Sequence, residues 1–125
     1  MSNLSLLPGD IVLVPYPFTN YFDTKRRPAL VLSAREFNAR TSDVILAAIS
    51  SNVSRSSPYE VVINSTDPGF GQTGLKTSSV VKCGAIFAFS QAQIDRHLGV
   101  LPNGVMDRVK EVVRQIMEIP RHATS

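Results

Sequence analysis

At 125 residues with 43% hydrophobic content, the chain carries enough apolar material for one core and too little length for two ordinary domains. Lysine and arginine number 13 against 10 acidic residues, a formal net charge of +3 that suits a polyanionic partner without naming one. The single cysteine, Cys83, excludes an internal disulfide and a cysteine-rich metal site, and no run of about 18 apolar residues could cross a membrane. Prolines and glycines are scattered rather than gathered into a linker, and no long period recurs, so residues 1–125 read as one domain with its core in about 8–119. The opening Met1 to Pro8 lacks a basic stretch and is apolar too briefly for a signal peptide, which makes the cytoplasm the expected location.

Taken in chain order, Ile11-Val-Leu-Val14 is the first strand, and it should stop or lie at an edge where Pro15 and Pro17 cannot donate to a ladder. A polar loop over Thr19 to Lys25 leads through Arg26-Arg27-Pro28 into Ala29-Leu-Val-Leu32, a buried strand by composition and length. Residues 33–42 read as polar and irregular. Val44-Ile-Leu-Ala-Ala-Ile49 is a third strand, running into Ser50-Ser51-Asn52, and Glu60-Val-Val-Ile63 a fourth. Val80 to Cys83 and Ile86 to Phe89 supply one strand or two, with a bend at Gly84. Five or six such strands with polar turns indicate a small barrel or sandwich.

Helix is expected late. Ser90-Gln-Ala-Gln93 fits a capping box and Gly99 suits the residue after a helix end, which predicts about two helical turns between them. Val105, Val109, Val112, Val113 and Ile116 recur at helical spacing, Asp107 sits near the positive N-terminus, and Pro120 marks the stop. That longer helix should lay its apolar stripe on the barrel or on a partner subunit.

Most motifs that suggest chemistry dissolve on inspection. Gly69-Phe-Gly-Gln-Thr-Gly74 spells a dinucleotide fingerprint, but a strand-like stretch follows it where a helix N-terminus would have to receive a pyrophosphate, so no cofactor is expected. His97 and His122 stand apart from each other and from Cys83, with no ligand spacing, so no metal is expected. Cys83 reads as a packed core thiol. Lys25-Arg26-Arg27 places three adjacent cations at a strand mouth; by composition alone it is a solvated turn, with Arg27 pairing to Asp23. Ser50-Ser51-Asn52 is by default a turn that bonds its own backbone.

Taken together and in order, these segments resemble the MazF/PemK family of toxins from toxin–antitoxin pairs. The landmarks are Pro8-Gly-Asp-Ile-Val-Leu-Val14, Lys25-Arg-Arg-Pro-Ala-Leu-Val-Leu-Ser33, Asp43-Val-Ile-Leu-Ala-Ala-Ile-Ser-Ser51, and Gly74-Leu-Lys76 with Ser79-Val-Val81. The resemblance implies a mainly β fold: an SH3-like barrel of five to seven strands with a short helix and a longer C-terminal helix. It also implies a homodimer that cleaves single-stranded RNA at short sequences without metal or cofactor and is silenced by a cognate antitoxin. Fold alone does not give the activity, because the CcdB-type gyrase poison resembles the same architecture, and a non-catalytic RNA- or protein-binding module is the alternative.

The family's arginine of the R-P pair falls on Arg27, and its hydroxyl position falls on Ser50, with Ser51 as a substitute. Cleavage by a neighbouring 2′-hydroxyl builds negative charge on a phosphorane, and a permanently charged, fork-shaped guanidinium can donate to two of its oxygens. A hydroxyl beside it can bond the phosphate and align the attack. Lys25, Arg26, Ser51, Asn52 and Lys82 are the expected RNA contacts. Where some relatives carry a carboxylate on the strand after G-L-K, this chain has Gly84, which leaves Asp23 as the candidate general base.

Overall fold

The computed structural model describes residues 5–15, 25–54 and 57–120. Six strands form one antiparallel sheet: β1 (Asp10–Pro15), β2 (Arg26–Val31), β3 (Asp43–Ser50), β4 (Glu60–Ile63), β5 (Ser79–Ser90) and β6 (Arg96–Val100), in the order β4-β5-β3-β2-β1-β6. The sheet curls into a half-barrel, the small barrel architecture expected from the sequence. The first strand ends at Pro15, where the missing amide would break the ladder.

Side-chain alternation sorts the sheet into two faces, and both are buried. Ile11, Leu30, Ala47, Ile49, Val61, Ile63, Val81 and Cys83 form a cluster that the C-terminal helix α2 (Asn103–Met117) covers with Met106 and Val109. Val12, Val14, Ala29, Val31, Val44 and Leu46 form a second cluster on the opposite face, against which Phe87, Phe89 and Ile94 pack. Each fully buried Val, Leu or Ile contributes on the order of 1.5–3 kcal/mol of transfer free energy. A one-residue slip of any central strand would exchange the two apolar sets and lose both interfaces, so the register is strongly specified.

The stripe read at helical spacing lies where expected, with Val105, Val112, Val113 and Ile116 half-buried against the first cluster. α2 ends at Glu118, which adopts the left-handed conformation at φ 58° while its amide donates to the Gln115 carbonyl, and Pro120 follows. Strand β5 is continuous but bent: Ala47 pairs with Ile86 and Ala48 with Lys82, so Cys83-Gly84-Ala85 bulge out together, at the bend expected around Gly84.

Two expectations are corrected. Residues 33–42 are not wholly irregular, because Arg35–Arg40 forms a short helix, α1. It shows no apolar stripe; its buried residue is Asn38, whose side-chain amide donates to the Leu6 carbonyl at 2.9 Å and the Ser33 carbonyl at 3.0 Å. The two-turn helix expected from Ser90 to Gly99 is absent. A single 3-10 turn (Gln91–Gln93) occupies its start, and the Ser90 side chain makes no cap bond. The buried Gln91 amide donates instead to the carbonyls of Asn38, Thr41 and Asp43. The remainder, β6, is an edge strand on β1, where long-range pairing replaces the local bonds a short isolated helix would make.

Candidate nucleic-acid interface

The interface begins with the register of β2 and β3. Ala29 pairs with Ala48 and Val31 with Leu46; Arg27 lies two residues before Ala29 on β2 and Ser50 two residues after Ala48 on β3, so alternation sends both to the face that pair shares. On β5, Lys82 pairs with Ala48 and Val80 with Ser50, which places Lys82 on that same face, one row over. Arg27, Ser50 and Lys82 are thus drawn from three adjacent strands to the same face, at its polar end. Arg27 and Lys82 are exposed and Ser50 is half-buried.

Alternation sends their neighbours the other way. Arg26, Pro28, Ile49 and Ser51 face a groove of about 610 Å³ that opens at the same end of the sheet. Leu13, Pro28, Ile49, Leu75 and Leu98 make its apolar floor. Its rim carries five cationic residues, Lys25, Arg26, Arg27, Lys76 and Arg96, with hydroxyls from Ser51, Thr77 and Ser79, and no carboxylate lines it among the described residues. Arg27 therefore sits where the shared face and the groove meet. Arg26 is steadied by Asp95, its Nε 3.1 Å from Oδ1, an exposed pair worth about 0–1 kcal/mol.

The serine cluster is the self-bonded turn its composition suggests, and it does more than turn. The Asn52 amide donates to Ser50 Oγ at 3.1 Å, and the Ser54 amide and hydroxyl donate to Asn52 Oδ1. The first bond fixes the Ser50 hydroxyl as an acceptor and leaves its proton to donate outward. Ser51, the expected substitute for Ser50, lines the groove instead. Asp23, the candidate base, lies outside the described residues, as does His122.

Lys76 and Arg96 escape a sequence reading as groove residues. Lys76 stands in the Gly74-Leu-Lys76 landmark with no partner in view, and Arg96 is hidden by the expectation of a helix there. What joins them is the glycine-rich run. Gly74 holds φ 74°, and a Cβ on it would lie 2.2 Å from the Leu98 carbonyl oxygen; one on Gly99 would lie 2.3 Å from the Gln72 oxygen. The glycines thus let two backbones touch, and that approach seats Leu75-Lys76 against Arg96 and Leu98 as one wall of the groove.

The remaining candidates are structural. Cys83 is fully buried; desolvation, followed by the charge of Glu60, pushes its thiol up to about 11. His97 Nε2 lies 3.5 Å from Asp10 Oδ1, and Asp10 Oδ2 accepts the Leu7 amide, so the pair ties β6 to the start of β1. Among the described residues no three His, Cys, Asp or Glu side chains converge as metal ligands. No helix among them is long and apolar enough to cross a membrane.

The same half-barrel recurs in known proteins. The profile of the PemK-like, MazF-like toxins of type II toxin-antitoxin systems matches residues 7–117. Endoribonuclease MazF6 of Mycobacterium tuberculosis and endoribonuclease MazF2 of Mycobacterium bovis are each 31% identical over 97 residues, 76% of this chain and 81% of theirs. Among solved structures, MazF from Deinococcus radiodurans superposes with a TM-score of 0.74 at 21% identity, covering 94% of this chain and 100% of that one. An endoribonuclease in complex with its cognate antitoxin from a mycobacterial species superposes with a TM-score of 0.73 at 18% identity, covering 92% and 97%. The chain belongs to the PemK-like, MazF-like toxin family.

Proposed function

We propose that this chain is a sequence-specific endoribonuclease toxin that cleaves single-stranded RNA by attack of a 2′-hydroxyl, without a metal, and is neutralised by a cognate antitoxin. The observation that carries the reading is a shared face: alternation along β2, β3 and β5 sends Arg27, Ser50 and Lys82 to one side of the sheet, beside a groove whose rim is cationic. Kinship to proteins named endoribonucleases supports the reaction, and kinship to toxins solved with antitoxins supports the partner. Met117 and Ile119, each 54% exposed at the end of α2, offer apolar surface for a homodimer.

In the reaction, the 2′-oxygen loses its proton to a base, for which Asp23 remains the candidate, and attacks the adjacent phosphorus. Arg27 donates two N–H bonds to the phosphorane oxygens as their charge grows, and the Ser50 hydroxyl donates to a third position. The bond from phosphorus to the 5′-oxygen breaks, and that oxygen takes up a proton. The products are a 2′,3′-cyclic phosphate and a 5′-hydroxyl. Lys25, Arg26, Ser51, Asn52 and Lys82 hold the strand on either side.

Purified protein incubated with RNA in excess chelator should cut it and leave cyclic-phosphate ends. Intact RNA bound by the protein would favour the non-catalytic alternative, which Gly84 in place of a carboxylate keeps in play. Cutting that requires an added divalent cation would refute the metal-free step.

A further inference from the structure

Resting on that reading, we infer that Lys76 and Arg96 hold phosphates of the RNA strand flanking the cleaved bond, in the groove lined by β1, β2, β6 and residues 74–77. Arg27, the residue proposed for the scissile phosphate, is itself one of the groove's lining residues, so a strand leaving it has the groove beside it. Its composition matches a nucleotide in both halves. The leucine, isoleucine and proline floor can take the flat face of a base, and cations stand above it to meet the backbone.

Lys76 and Arg96 differ from the other basic side chains of the rim. Both are exposed and neither makes an ion pair among the described residues, whereas Arg26 is held by Asp95. They come from segments far apart in sequence, yet the close backbone approach at Gly74 and Gly99 locks those segments side by side. Two exposed cations on one groove with an apolar floor, which no carboxylate lines among the described residues, repel each other in the free protein. That repulsion is relieved when phosphates arrive.

An acidic peptide is the other polyanion the rim could take. Continuity with Arg27 favours RNA, and the test separates the two. A fluorescein-labelled 2′-O-methyl oligoribonucleotide cannot be cleaved, so its affinity is read by anisotropy across a salt series independently of catalysis. The double variant Lys76→Met, Arg96→Met keeps the apolar stems and removes the charges at exposed positions, so its melting should match the parent. The slope of log affinity against log salt should fall by about 1.4, roughly 0.7 for each phosphate that a single strand no longer has neutralised. Cleavage of unmodified RNA should show the defect in KM more than in kcat. An unchanged slope in a parent that does bind and cut RNA would overturn this inference alone. A parent that neither binds nor cuts RNA would overturn the ribonuclease reading and this inference with it. Binding of a polyglutamate peptide that depends on Lys76 and Arg96, with RNA affinity indifferent to them, would assign the groove to a protein partner and overturn the proposal.

Discussion

Alanine placed at Gly74 and at Gly71 should have opposite effects, although the two glycines lie in the same glycine-rich run. At Gly74 the φ of 74° costs a residue with a Cβ about 1–2 kcal/mol, and that Cβ would sit 2.2 Å from the Leu98 oxygen and 2.7 Å from its carbon. Relieving such an overlap by backbone movement costs a further 1–3 kcal/mol or so. The sum, roughly 2–5 kcal/mol, corresponds to a fall in melting temperature on the order of 5–20 °C for a domain of this size. At Gly71 nothing lies within 4 Å of the added carbon and φ is not positive, so alanine should be neutral or stabilising by up to about 1 kcal/mol. Thermal unfolding followed by circular dichroism reads both. Because Gly74 also seats Lys76 against Leu98, Gly74→Ala should weaken RNA binding below its melting transition as well. Equal melting temperatures for the two variants would refute the argument that this run exists for close backbone packing.

Other outcomes follow from the same geometry. Arg27→Lys keeps the charge and loses the fork, so the cleavage rate should drop about 100- to 1,000-fold in single-turnover kinetics while melting stays unchanged, since Arg27 is exposed. Ser50→Ala should slow cleavage at saturating RNA, whereas Ser51→Ala should act mainly on affinity, because Ser50 ends β3 on the face shared with Lys82 while Ser51 lines the groove; interchanged effects would refute this placement. Cys83 should resist a disulfide reagent at pH 8 until the protein is unfolded. Its thiol pKa is raised by folding from an ordinary value of 9.0 to about 11, so the stability it lends is full below pH 9 and is lost as pH rises towards 11. A chemical unfolding series over that range should show the decline, and a flat profile would contradict the burial of the thiol.

Much of the fold is legible in the sequence because it rests on local apolar pattern. Ile11 to Val14, Ala29 to Leu32 and Val44 to Ile49 announce buried strands by apolar composition and short length, and the Val105 to Ile116 spacing announces α2. What misleads depends on partners distant in sequence. Nothing near Asn38 reveals that its side chain will reach the Leu6 carbonyl, the bond that anchors α1 to the chain's start. Ser90-Gln-Ala-Gln93 carries a valid capping pattern, yet Gln91 finds three carbonyls around α1 and β3, and β1 supplies a ladder for Arg96 to Val100. The same limit governs the site. Arg27 and Ser50 can be named from the resemblance, but the face they share follows from how β2 and β3 pair, and the place of Lys76 and Arg96 on the groove emerges only once Gly74 and Gly99 bring two backbones together.

A double-mutant cycle on Arg27 and Ser50 tests the central claim most directly, with single-turnover cleavage of RNA measured in chelator for the parent, Arg27→Ala, Ser50→Ala and the double variant. If the guanidinium and the hydroxyl serve one phosphodiester, the double variant should be little slower than Arg27→Ala alone, a strongly non-additive result. Rate losses that simply multiply, or an Arg27→Ala protein that cuts as fast as the parent, would contradict the account.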